Sequence, residues 1–208
     1  MQSFKTFISE NIGVSQEEWK QLERTLKTKT YKKGEMISFK DDIWTSAMYI
    51  NSGMVRSYII NDHGKDFTRQ FYFNSKESRT ANLFVIDLSS FTTQLPSNRS
   101  FEVLIDSEVV IFSRKNLYSL YEKSKKWEFV GRKMAEFAYI DMDLFYYNLL
   151  TKTPTEQYIN LQKTMSGLLK DVPQYHIASY LGITPVSLSR INKTLHDVED
   201  NIALALQE

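Results

Sequence analysis

Between Val172 and Leu195 the chain reads VPQYHIASYLGITPVSLSRINKTL, and the second half of that stretch carries side chains suited to a polyanion. Pro185, Val186, Ser189, Arg190 and Lys193 recur at spacings that share one side of a helix. Thr184, Ser187 and Ser189 are short hydroxyls fitted to phosphate oxygens. The Arg190 guanidinium can donate two parallel hydrogen bonds to guanine O6 and N7, and Val186 can touch a thymine methyl. From Val172 to His196 there are two fixed positive charges, Arg190 and Lys193, and no acid. Over residues 151–208, however, five basic side chains meet six acidic ones. Nonspecific attraction to phosphate is therefore weak, and a dimer that doubles the phosphate contacts is expected.

Other chemistries are poorly provided for. The 208 residues include no cysteine, which excludes disulfides, thiolate nucleophiles, iron–sulfur clusters and Cys-type zinc sites. The histidines are His63, in a turn, His176, near the start of the first motif helix and facing solvent or phosphate, and His196, after the second. No pair has metal-ligand spacing. There is no G-x-S-x-G, phosphate loop or dinucleotide fingerprint. Asp141 and Asp143 are two apart and point in different directions on a helix. No catalytic residue, metal site or cofactor is expected, and an enzyme is the weaker class.

The elements that must position the motif follow from capping and turn residues. Pro173 opens a short helix over 174–180, Gly182 supplies the turn, and Thr184-Pro185 gives the next helix its N-cap and first residue. Two short helices about a tight glycine turn make a helix-turn-helix. Ile177, Leu181, Ile183, Leu188 and Ile191 face inward, with Ala178 at the crossing. The alternative is an ordinary αα-hairpin.

Upstream, Ser15-Gln16-Glu17-Glu18 fits a capping box. From Tyr31 to Phe112 the texture is strands, with Gly34, Gly53 and Asp62-His63-Gly64 as turns. Residues 54–60 and 67–73 alternate and predict a hairpin, and 100–105 with 108–112 predict a further strand pair. An antiparallel barrel or sandwich buries such strands most simply. Residues 125–150 then run without proline and predict a helix of roughly 39 Å. Trp127, Val130, Met134, Phe137 and Leu144 mark a heptad-like seam, read as a dimer interface. Phe129, Ile140, Phe145 and Tyr147 lie off it, so the helix is apolar on more than one side. One side is expected on its own barrel and the other on a partner chain; the alternative is that both pack within one subunit. Thr153-Pro154-Thr155-Glu156 starts the next helix and marks the boundary before the C-terminal part.

This order of parts resembles the Crp/Fnr family of bacterial transcription regulators. The residues that carry the resemblance are Tyr31-Lys32-Lys33-Gly34-Glu35, Tyr49-Ile50-Asn51-Ser52-Gly53, Asp106-Ser107-Glu108-Val109 and Leu181-Gly182-Ile183-Thr184-Pro185. It implies an α+β chain with an N-terminal antiparallel, jelly-roll-like β-roll of the cyclic-nucleotide-binding type (1–124). A long dimerisation helix (125–151) and a C-terminal helix-turn-helix domain (152–208) follow. It implies a homodimer on double-stranded DNA, with bases met by Pro185, Val186, Ser189 and Arg190 and phosphates by Thr184 and Ser187. RNA polymerase and a small-molecule effector are further partners it leaves open.

The sensor region departs from that pattern. Members that bind cyclic AMP carry Gly-Glu and then Arg-Ser before the last roll strands. Here residues 73–101 contain no glycine, the Arg-Ser positions counted back from Glu108 fall on Ser97 and Asn98, and Arg99 lies two places late. Asp87 sits near the acidic position. Asp87 and Arg99 are thus weak candidates for ligand contact, Arg79 or Arg99 could serve another anion, and cyclic AMP is not expected in the family manner. No stretch of about 18 apolar residues predicts a membrane span, and the first residues have no apolar signal core, so a cytoplasmic location is expected. A signalling adaptor whose helix-turn-helix binds protein rather than DNA is the rival reading.

Overall fold

The Ser15 hydroxyl accepts from the Glu18 N–H at 3.2 Å, and the Glu18 carboxylate accepts from the Ser15 N–H at 2.8 Å. That closed capping box starts α2 (Gln16–Glu23), which follows α1 (Gln2–Ile12). The structure, a computed structural model, describes residues 2–205 other than 77 and 166. Its strands are β1 (Leu26–Tyr31), β2 (Met36–Ser38), β3 (Ser46–Ile60), β4 (Asp66–Phe73), β5 (Phe84–Val85) and β6 (Ser100–Ser113). The short helices α3 (Thr80–Leu83) and α4 (Leu88–Thr93) flank β5. Then come α5 (Arg114–Lys123), α6 (Lys125–Thr151), α7 (Pro154–Thr164), α8 (Gln174–Tyr180) and α9 (Pro185–Ala205). The sheet runs β1-β6-β3-β4, with β2 on β6 and β5 on β3, every pair antiparallel. This is the α+β architecture predicted above.

The predicted hairpin forms, with Met54 opposite Phe73 and Ile60 opposite Asp66. Its turn is held by the Asn61 side-chain oxygen, which accepts from the His63 and Lys65 N–H groups. The predicted pair at 100–105 and 108–112 is instead one continuous strand, β6. Asp106 and Ser107 do not turn the chain, because β1 pairs through Ser107 and β3 pairs on both sides of it. Gly53, predicted as a turn, lies inside β3 at φ +90, where a Cβ would stand 2.3 Å from the Asp106 carbonyl oxygen. The β3–β6 register shifts around it, so this glycine marks a bulge that lets a long strand bend.

Alternation along β3, β4 and β6 sorts residues between two cores rather than between core and solvent. Val55, Tyr72, Phe101 and Val103 face the roll interior with Trp19, Trp44 and Trp127. Met54, Phe71, Phe73 and Leu104 face the other way, against Tyr158, Leu161, Met165, Ile177 and Leu188 of the C-terminal lobe. The lobe therefore shares a core with the outer face of the roll.

α6 is bounded as the sequence predicts, one residue longer at its end. Gly131 lets it approach α5: a Cβ there would lie 2.6 Å from the Tyr121 ring. The capping box of Thr153 and Glu156 opens α7 with Pro154 in its first turn. α9 overruns the sequence reading, continuing to Ala205, so His196 lies within the helix rather than after it. Residues 193–205 contain neither glycine nor proline, and nothing in that run stops a helix.

Candidate nucleic-acid interface

α8 and α9 meet around Ala178 and Gly182. Gly182 takes φ +70 and donates to the Ser179 carbonyl at 3.2 Å, and the Ile183 N–H returns to the Ala178 carbonyl at 3.0 Å. The Thr184 hydroxyl accepts from the Ser187 N–H at 3.2 Å and meets the Ser187 hydroxyl at 3.0 Å. Such an N-cap stabilises a helix by about 1 kcal/mol. Ile177, Ala178, Leu181 and Leu188 are buried, and Ile183 and Ile191 pack against them. The inward set is the one predicted.

The outward set stands free. Thr184, Pro185, Val186, Ser189, Arg190 and Lys193 are exposed, Val186 at 62 %, and Ser187 is half-buried. Among the described residues neither Arg190 nor Lys193 forms an ion pair within the chain. Asn192 reaches back to Gln174 at 3.4 Å and ties the two helices at this surface.

The inner side of α8 is docked on the roll. The Ser179 hydroxyl donates to Asp66 at 2.8 Å and accepts from the Thr68 N–H at 2.7 Å. Asp66 in turn receives the Arg56 guanidinium at 2.8 Å, which also donates to Glu102 at 2.9 Å and Thr68 at 3.0 Å. Tyr180 packs on Phe71 with ring centres 5.3 Å apart. His176, expected to face solvent or phosphate, is 2 % exposed within this joint, and its Nδ1 has no partner there. Burial, reinforced by the neighbouring Arg56 charge and opposed by Asp66, depresses its pKa to about 4. A histidine next to an apolar helix face has the same sequence pattern whether that face meets solvent or a second domain.

The expected dimer seam is split. Trp127, 7 % exposed, is part of the roll core, Val130 packs against it, and Met134 lines the cavity beneath α6. Those residues pack within the chain; Phe137 also lines the cavity but is 42 % exposed, and Leu144 is exposed. The side left open carries Phe129, Ile140 and Tyr147, which the sequence reading had placed off the seam. With two apolar stripes on one helix, spacing alone does not tell which of them the parent domain covers.

Asp87 and Arg99 come together, 3.5 Å apart, and both line that cavity. Asp87 is not a free ligand contact. It caps α4 through the Ser89 and Ser90 N–H groups and accepts from the Ser97 hydroxyl at 2.7 Å. Arg79 is likewise engaged, at 3.9 Å from Asp141. The cation that sequence reasoning passed over is Arg69. The β3–β4 register shifts there, pairing Ser57 with Gln70 and Tyr58 with Thr68, so Arg69 is the extra residue of a bulge. Its signal in the sequence is an arginine alternating with Phe67, Phe71 and Phe73 on an otherwise apolar strand face.

No family model matches the chain, and no curated protein matches it. Solved structures do. FixK2 of Bradyrhizobium japonicum superposes with a TM-score of 0.68 at 17% identity, covering 84% of this chain and 86% of that one. A Crp/Fnr-family transcriptional regulator of Eubacterium rectale gives 0.65 at 16% identity, covering 88% and 84%. The c-di-GMP-responsive global regulator CLP of Xanthomonas campestris gives 0.64 at 13% identity, covering 87% and 91%. Roll, long helix and helical lobe follow one another in a single chain, and this protein has the fold of the Crp/Fnr transcriptional regulators.

Proposed function

We propose that this protein is a sequence-specific DNA-binding transcriptional regulator that acts as a homodimer. Three working parts serve that role: the roll (1–124), the long helix (125–151) and the reading lobe (152–208). One observation carries the reading. A helix anchored by buried Leu188 presents Val186, Ser189, Arg190 and Lys193 to solvent with no acid among them. That face offers donors for base edges and charge for phosphates. Two such helices, joined along α6, would enter successive major grooves, roughly 34 Å apart. The exposed apolar side of α6 supports the pairing, because contiguous exposed apolar surface favours burial against a partner. The role is regulatory rather than enzymatic, and it belongs with the chromosome in the cytoplasm of a bacterial cell. RNA polymerase and an effector acting through the roll complete the proposal.

The test is selection from random duplexes by the full chain at two salt concentrations. Enrichment of a two-fold related site, with log K falling steeply against log[salt], is the expected result. No enriched sequence, or binding indifferent to salt, would overturn the reading in favour of a protein-binding lobe.

A further inference from the structure

A cavity of about 770 Å³ lies between the roll, α6 and α7. Its wall changes character along α6. At Trp127, Val130 and Met134 the lining is apolar, backed by Leu120 and Phe112. Met134 and Phe145 are roughly 16 Å apart along the helix axis, and at that second level the lining is cationic. Arg69, Arg79 and Arg99 converge there, against the carboxylates Asp87 and Asp141. Arg99 is matched by Asp87 and Arg79 by Asp141.

Arg69 is left over. Among the described residues no carboxylate lies within ion-pair distance of it, and its guanidinium stacks on the Phe145 ring at 3.9 Å. Burial, together with the charge of Arg99, weakens its hold on its proton. A half-buried cation without a counter-ion is costly, and bulges serve to re-aim side chains at sites of function. With Arg79 and Arg99 matched by carboxylates, Arg69 is the unmatched arginine of the cluster, beside an elongated apolar trough; Lys152 adds a further cation to the lining beyond the end of α6.

We propose that this cavity binds an amphipathic monoanion, its carboxylate head held by Arg69 and its unbranched apolar tail lying along α6 towards Trp127. A planar carboxylate matches the guanidinium fork with two parallel hydrogen bonds. One carboxylate offsets the charge of Arg69, the arginine left without a counter-ion. The tail replaces water along Met134 and Val130, and each buried methylene adds about 0.8 kcal/mol. The head group selects charge and the trough selects length.

Calorimetric titration of the full chain, without DNA, with dodecanoate tests this. Dodecyltrimethylammonium supplies the same tail on the opposite charge, and acetate the same head without a tail. Dodecanoate is expected to bind at least tenfold more tightly than either. Arg69→Gln is expected to weaken dodecanoate at least tenfold, Arg69→Lys to restore part of the loss, and Met134→Trp to weaken it by filling the trough. Equal binding of the two amphiphiles by the wild-type chain, no binding of dodecanoate, or a folded Arg69→Gln that binds as before would each overturn the proposal. Should Arg69→Gln fail to fold, the head-group contrast on the wild type and the Met134→Trp result decide. DNA binding plays no part in these titrations, so their failure is separate from failure of the regulatory reading.

Discussion

α6 and α9 are the two longest helices of the molecule, and each keeps one side in solvent. What they show there differs. α6 presents Phe129, Ile140, Tyr147 and Leu150, large apolar and aromatic groups with little hydrogen-bonding capacity. α9 presents hydroxyls, an arginine and a lysine around a single valine. Apolar area gains by leaving water and asks for another apolar surface; a row of donors gains by meeting acceptors it does not itself carry. The two faces thus differ in the chemistry they offer, which is why the proposed function gives α6 a protein surface and α9 a polyanion.

That division can be broken most severely at α6. Ile140 is 50 % and Tyr147 60 % exposed. Replacing both with glutamate should weaken self-association by about 3 kcal/mol or more, over a hundredfold in the dissociation constant. Sedimentation equilibrium reads this directly, and an unchanged dimer would move the partner surface elsewhere on the chain. The same substitutions should leave the fold intact, since neither side chain belongs to a core.

The inner side of α8 sharpens the contrast, because it is polar yet closed. His176 is neutral in the folded chain down to about pH 4, but its unfolded counterpart titrates near 6.5. Between those values the unfolded chain binds more protons, so stability falls as pH drops through that window and is fully present above it. Asp66 meets α8 directly through Ser179 and favours a charged His176, but Asp66 and Glu102 both bind Arg56, whose charge opposes a second cation beside it. The carboxylates held low elsewhere, Glu18, Asp106, Glu136 and Glu156, act at more acidic pH. Melting temperature followed from pH 7 to 4.5 should decline, and His176→Phe should flatten the decline. A wild-type chain equally stable at both ends would refute the buried assignment.

At α9 the expected effects are smaller and specific. Arg190→Ala should cost about 1–3 kcal/mol on the preferred duplex and relax one base position, with self-association untouched. Lys193→Ala should weaken all sequences alike and lower the salt slope by about 1. If Arg190→Ala behaved like Lys193→Ala, the arginine would be a phosphate contact rather than a reader of bases.

Local chemistry made much of this legible. Thr184, Pro185 and Gly182 announce the two short helices because caps and positive φ are properties of a few consecutive residues. Thr153 and Glu156 announce α7 in the same way. The misread parts are those that depend on distant chain. β6 continues through Asp106 because two neighbouring strands hold it, and no local signal records that. The alternation of β3 and β4 was visible, but period two says only that faces differ, and both faces here are covered. Arg69 became notable only when the bulge and the missing counter-ion were seen together. The length of α9 is legible locally, since no glycine or proline follows Leu195 within the helix.

The shared core beneath the lobe limits how the molecule can move. Lifting α8 clear of the sheet would wet Met54, Phe71, Phe73 and Leu104, at roughly 1.5–3 kcal/mol for each side chain. A flexible tether is therefore the wrong picture for the link between roll and lobe. The lobe rides on the outer wall of the roll like a saddle, so under the proposed function a signal would reach it by tilting that wall rather than by setting it loose.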